Sequence, residues 1–188
     1  MLQFYDFEVF KCDWLVVIID PTNKSKKVIV NDVEQLRDYY KKHCDDIWIG
    51  YNSRMYDQYI LKAILCGFNP KKINDWIIVD NKQGWMFSNL LRNYPLNNYD
   101  VMTSFHGLKT LEGFMGNNIK ETSVDFNIDR RLTTEEINET IKYCIHDVEQ
   151  TIQVFIERKS DFDAHLGLIK KFKLPLNYIS KTKAQLSA

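Results

Sequence analysis

The 188-residue chain carries 25 basic and 25 acidic side chains, so no global basic field marks it as a stoichiometric nucleic-acid coat. Its 45% apolar and 27% charged residues are those of an ordinary soluble domain, long enough to bury a substantial core. No apolar run approaches the roughly 18 residues of a membrane span. No charged-then-apolar leader opens the chain, and Cys12, Cys44, Cys66 and Cys144 lack the spacing of a zinc ribbon or disulfide framework. The expectation is a soluble, cytoplasmic protein with reduced thiols.

In chain order, Leu2–Phe10 alternates around aromatic residues, and Trp14–Asp20 and Lys26–Val30 are β-branched runs. The turn-forming Pro21-Thr-Asn-Lys-Ser separates the last two, so the three segments predict an antiparallel meander. Asn31 or Asp32 caps a helix to about His43, with Val33, Leu36 and Tyr40 on one face. Ile47–Tyr51 reads as a short buried strand. A helix over Tyr56–Cys66 follows, closed by Gly67 and Pro70. Short helices are expected at Ile73–Val79, Trp85–Leu91 and Leu108–Met115, with a strand at Tyr99–Met102. Thr133-x-x-Glu136 is a capping box opening the longest helix, to about Arg158, and Ile137, Ile141, Cys144, Ile145, Val148, Ile152 and Phe155 keep helical spacing along it. The fold class expected is α/β, a mixed sheet of an antiparallel meander plus parallel strands flanked by helices. Residues 1–174 form the domain, and the polar, basic 175–188 reads as a tail or linker.

Three segments carry acids where metal chemistry needs them. Asp6 and Glu8, two apart on a strand, share one face, while Tyr5, Phe7 and Val9 share the other. Two carboxylates in an otherwise apolar strand repel each other unless a cation lies between them. A solvent-facing strand edge is the plainer reading of such a pair taken alone. Asp57 stands at the start of a helix after a strand, where N-terminal capping is the plainer alternative. Tyr143 and Asp147, four apart on the long helix, lie side by side on the flank of its apolar stripe. Four carboxylates suit hard cations such as Mg²⁺ or Mn²⁺, and such sets hold two metals for in-line phosphoryl displacement.

The succession of DFE, YNSRMYD and YCIHD resembles the three motifs of the DEDD exonucleases within the ribonuclease H-like superfamily. Tyr143, four residues before Asp147, is similar to the tyrosine subgroup (DEDDy); the histidine subgroup has His one position earlier, where Lys142 stands. Asn52, five residues ahead of Asp57, and the LKTLEGFMG stretch resemble the proofreading domains of family-B DNA polymerases. The resemblance implies a ribonuclease H-like sheet and a 3′→5′ exonuclease acting on single-stranded or frayed DNA 3′ ends, releasing nucleoside 5′-monophosphates. It implies two Mg²⁺ or Mn²⁺ ions on Asp6, Glu8, Asp57 and Asp147, a water oriented by Tyr143, and contacts from Asn52 and Phe10 to the terminal nucleotides. A polymerase domain or subunit is the partner it suggests. An inactive nucleic-acid or partner-binding module of the same fold, and an RNA-directed exonuclease, are the alternatives.

Other signals are weaker. His146-Asp147 evokes an HD-type metal hydrolase, but His43, His106 and His165 are isolated, and no GxGxxG, P-loop or GxSxG occurs. Lys24–Lys27 and Lys170–Lys173 read as solvated basic faces.

Overall fold

Residues 1–102, 107–110 and 123–186 are described by the computed structural model. The three opening strands form as an antiparallel meander: β1 (Leu2–Val9), β2 (Trp14–Asp20) and β3 (Ser25–Val30). Helix α1 (Val33–His43) then returns the chain to β4 (Ile47–Gly50), which lies parallel to β1, and β5 (Asn98–Asp100) is parallel to β4. The sheet order is β3-β2-β1-β4-β5. The two-residue period explains both cores. Every residue of β2 is buried; Val16 and Ile18 enter one cluster with Tyr5, Phe7 and Trp48, whereas Leu15, Val17 and Ile19 enter another with Phe4 and Ile49. A strand apolar on both faces requires cover on both.

One face is covered by α1, α2 (Asp57–Leu65), α3 (Pro70–Ile78) and α4 (Asn89–Asn93), which contribute Leu36, Ile60, Ile64, Ile73 and Leu91. The other face is covered by the long α5 (Thr134–Glu157) and by α6 (Lys159–Lys171), with Cys144, Val148, Phe155 and Phe162 pointing inward. In α5 the Thr133 hydroxyl accepts from Glu136 N at 3.2 Å and Glu136 accepts from Thr133 N at 2.8 Å, so the capping box is complete. Thr140 and Thr151 stand on the buried stripe, and each satisfies its hydroxyl on the carbonyl four residues earlier.

Several boundaries differ from expectation for local reasons. Asp32, not Asn31, caps α1; Asn31 adopts φ 54° and its side chain accepts from Trp14 N. Helix α3 begins earlier than Ile73 because Asn69 caps it and Pro70 occupies its first turn. The single helix expected at Trp85–Leu91 is a 3₁₀ turn, Gly84–Met86, followed by α4, since Ser88 caps Leu90 N and restarts the chain. The strand expected to reach Met102 ends at Asp100, where pairing with β4 stops. The segment from Pro175 is not a free linker up to Ser180: Ile179 is fully buried, and Ser180 Oγ accepts from Asn98 N at 3.1 Å. A short helix α7 (Lys183–Leu186) follows. The helix expected over Leu108–Met115 lies largely outside the described residues. Among the described residues no helix is long and apolar enough to cross a membrane.

Candidate active site

Strand β1 outruns its partner. It pairs with β4 only over Leu2–Phe4, so among the described residues no strand pairs with that edge beyond Tyr5. Asp57 closes that edge: its carboxylate accepts from Phe7 N at 3.1 Å. The N-cap position of α2 is Tyr56, which makes no side-chain cap bond, and Asp57 is the first residue of the helix, its carboxylate also accepting from its own backbone N–H. It reaches across to β1 and is only 3% exposed.

Asp6 and Glu8 project from the α5 face of β1, as their spacing requires. Helix α5 crosses directly over them: the Cys144 thiol is 3.5 Å from both the Asp6 carbonyl and Asp6 Oδ2. Ligand atoms of Asp6, Glu8 and Cys144 all lie within 4.8 Å of one another. Thiol sulfur is a soft donor and the carboxylates are hard, so the oxygen set is the one that suits Mg²⁺ or Mn²⁺.

The four acids act on one another. Burial pushes the Asp6 carboxyl well above the usual carboxylate range, and the charges of Asp57, Glu8 and Asp147 push it further. Glu8 is raised to about 8 by burial, then by Asp147 and Asp57, with the Lys109 ammonium opposing them. Asp57 is raised to about 7 by burial, partly offset by the Phe7 N–H. Neutralisation by protons or by a cation lowers the cost of this arrangement. Tyr143 is held protonated by burial first, then by the Asp147 charge and by the hydrogen bond it gives Asp147.

A cleft of about 280 Å³ opens beside the acids, lined by Glu8, Tyr56, Lys71, Asn74, Ile78 and Phe126 among others. The Tyr56 hydroxyl is anchored by donation to Asn74 Oδ1 at 2.7 Å. Phe10, expected against a terminal nucleotide, is 1% exposed and packs with Val124 and Leu132. Its ring stacks on Phe126 at 4.8 Å, and Phe126, 41% exposed, is the ring that presents a face to the cleft. Asn52 lies in the turn before α2 with φ 57°, a left-handed conformation that asparagine tolerates, and its carbonyl accepts from Met55 and Tyr56 N–H. It shapes the turn that delivers Asp57.

Three residues near the acids escaped the sequence reading. Cys144 carries only the signal of its helical phase, three residues before Asp147 and four before Val148. Lys109 reaches Glu8 electrostatically and stands 5.2 Å from the Tyr143 ring. Asp100 ends a parallel strand, and its carboxylate accepts from Arg54 N and Met102 N, both at 2.9 Å, bracing the turn that leads into α2. An acid at the C-terminal end of a parallel strand was a legible cue.

Comparison with known proteins finds no family model that matches the chain, no curated protein similar to it and no solved structure that resembles it.

Proposed function

We propose that the chain is a metal-dependent 3′→5′ exonuclease domain of the DEDDy, ribonuclease H-like type, acting on DNA 3′ ends as the proofreading part of a DNA polymerase. The observation that carries this reading is the placement of acids from three separate segments together: Asp6 and Glu8 share the strand face beneath Cys144 of α5, Asp57 reaches the same strand through the Phe7 N–H, and the charges of Asp57 and Asp147 act on both strand acids. The five-stranded sheet, three strands antiparallel and two parallel, is compatible with a ribonuclease H-like fold. The direction of attack, the DNA preference and the polymerase partner rest on the motif resemblance.

In this reading the four carboxylates hold two Mg²⁺ or Mn²⁺ ions, which when bound supply a water of lowered pKa and offset charge on the phosphate. The chain's own residues do the rest. Asp57 is fixed at the β1 edge by the Phe7 N–H, which holds its carboxylate beside Asp6 and Glu8. Tyr143 stays a phenol and, being anchored on Asp147, orients the attacking water as a hydrogen-bonding partner. Lys109 tempers the negative field at Glu8, so the site accepts a phosphodiester more readily. Phe126 offers an exposed ring on which a terminal base stacks.

The test is incubation of 5′-labelled single-stranded DNA and RNA with the protein and Mg²⁺ or Mn²⁺. Wild type yields a ladder shortening from the 3′ end of DNA, and Asp6→Ala and Asp147→Ala abolish it. A ladder on RNA alone assigns the RNA-directed activity instead. Degradation of neither polymer with either metal overturns the catalytic reading and leaves a binding module.

A further inference from the structure

A second cleft, of about 590 Å³, lies between α2, the Gly84–Met86 turn, residues 92–96 and the segment after Pro175, and none of the four clustered acids lines it. Its charged lining residues are Arg54, Lys62 and Arg92, and among the described residues no carboxylate faces it. The chain as a whole is neutral, so three cations without an acid in one concavity is a local concentration of positive charge.

Lys62 is the central observation. It is 7% exposed and forms no ion pair among the described residues. Its ammonium donates to Gln58 Oε1 at 3.0 Å and lies 5.4 Å from the centre of the Tyr59 ring. Gln58 cannot turn away, because its amide nitrogen donates to Arg54 O at 2.7 Å. The glutamine therefore aims a neutral acceptor at a buried cation that has three N–H groups to satisfy. An ammonium removed from water without a counter-ion is costly, and desolvation accordingly draws the Lys62 pKa down to about 8. Arg92 is exposed and sits over the Trp85 ring at 5.2 Å, also without an acidic partner among the described residues. Arg54 is less available: its charge faces Asp100, and its Nε donates to Ser180 O at 3.3 Å.

The wall is built to shape. Gly84 lies directly on Tyr59, and a Cβ there would stand 2.3 Å from the ring, so only glycine lets the 84–86 turn close over α2. That placement brings Trp85, 41% exposed, to the rim with Arg92. Amide groups of Gln83, Asn93, Asn177 and Gln185 and the Ser180 hydroxyl add to the polar lining.

We propose that this cleft binds a phosphate monoester, its phosphate received by Lys62 and Arg92 and any attached ring by Trp85. Two cations match a dianion, neutral amides supply further donors, and the volume exceeds that of phosphate alone. Free mononucleotides and the phosphorylated 5′ end of a strand share this chemistry. The inference does not depend on the nuclease reading, since no proposed metal ligand takes part.

Calorimetric titration in EDTA, which keeps divalent ions from recruiting phosphate to the acid cluster, tests it. Inorganic phosphate and a nucleoside 5′-monophosphate bind saturably to wild type and to Asp6→Asn. Arg92→Gln and Lys62→Met each weaken both about tenfold or more, the loss of one charge-assisted hydrogen bond. Arg92 is exposed, so its variant keeps the fold and decides the matter even if Lys62→Met is poorly soluble. Tighter binding of a 5′-phosphorylated oligonucleotide than of the mononucleotide or the 5′-hydroxyl strand assigns the strand end; equal binding of mononucleotide and strand assigns the free ligand. No saturable binding to wild type, or affinity unchanged in Arg92→Gln, overturns the proposal.

Discussion

Tyr143 and Asp147 are a pair that the helix makes inevitable and the sheet makes useful. Four residues apart on α5, they meet side by side whatever the fold does. The sheet below then surrounds them with Glu8 and Asp6, whose charges help hold the phenol protonated. Tyr143→Phe removes the hydroxyl and little else. The expected outcome is a nuclease rate lower by about 10²-fold, the scale of misplacing one reacting group, with the thermal midpoint nearly unmoved. Equal loss of rate and folded protein would instead give the residue a packing role. Phe10 teaches the opposite lesson. An aromatic residue at the end of an acid-bearing strand invites a role against the substrate, yet it is buried, and Phe126 behind which it stacks has the exposed face. No local pattern around Phe126 could have shown this, because the two rings are brought together from distant parts of the chain.

At the scale of elements, α5 is held at its start from two sides. Its capping box is local, but Asp13, from the β1–β2 turn, accepts from Leu132 N at 2.8 Å, Arg131 at 2.9 Å and Asn31 at 2.6 Å. These partners hold the Asp13 carboxyl below its usual range against the effect of burial. The helix is thereby docked to the very strand whose acids it covers. Thr133→Ala leaves the Asp13 tether but removes the cap, so a loss of about 1 kcal/mol is expected. For a chain of this length that is about 2–4 °C of thermal midpoint, measurable by calorimetry or circular dichroism. The helix was plain in the sequence from its cap and period. The partition of residues 84–93 into a 3₁₀ turn and α4 was not, since it follows from the close approach of Gly84 to Tyr59 on another helix.

For the whole molecule, the acid cluster is a store of repulsion that protons or cations relieve. Glu8 rises from 4.5 to about 8 and Asp57 from 3.8 to about 7 on folding. Between about pH 4 and 8 the folded chain therefore binds more protons than the unfolded one, and stability falls as pH rises through that window. Asp13, Asp46 and Glu136, held low by their partners, act in the opposite sense but only at more acidic pH. In EDTA the thermal midpoint should be higher at pH 5 than at pH 8. Mg²⁺ or Mn²⁺ should raise it chiefly at pH 8, and Asp57→Asn, which keeps an acceptor for Phe7 N–H, should flatten the pH dependence. A midpoint that climbs from pH 5 to pH 8 in EDTA would contradict the coupling.

What the sequence determined by itself was whatever depends on neighbours within a few residues. The two-residue period set Asp6 and Glu8 on one strand face, the capping box set the start of α5, and the four-residue spacing paired Tyr143 with Asp147. These are consequences of backbone geometry that no distant contact alters. Only the tertiary structure decided what those acids meet. It set β1 beyond the end of β4 so that Asp57, at the start of α2, reaches across to the Phe7 N–H on that edge. It placed Cys144 and Lys109 beside the carboxylates, and it left Lys62 buried in a cleft without an acid. Burial, charge coupling and edge exposure arise between segments far apart in the chain, so no spacing along it could reveal them.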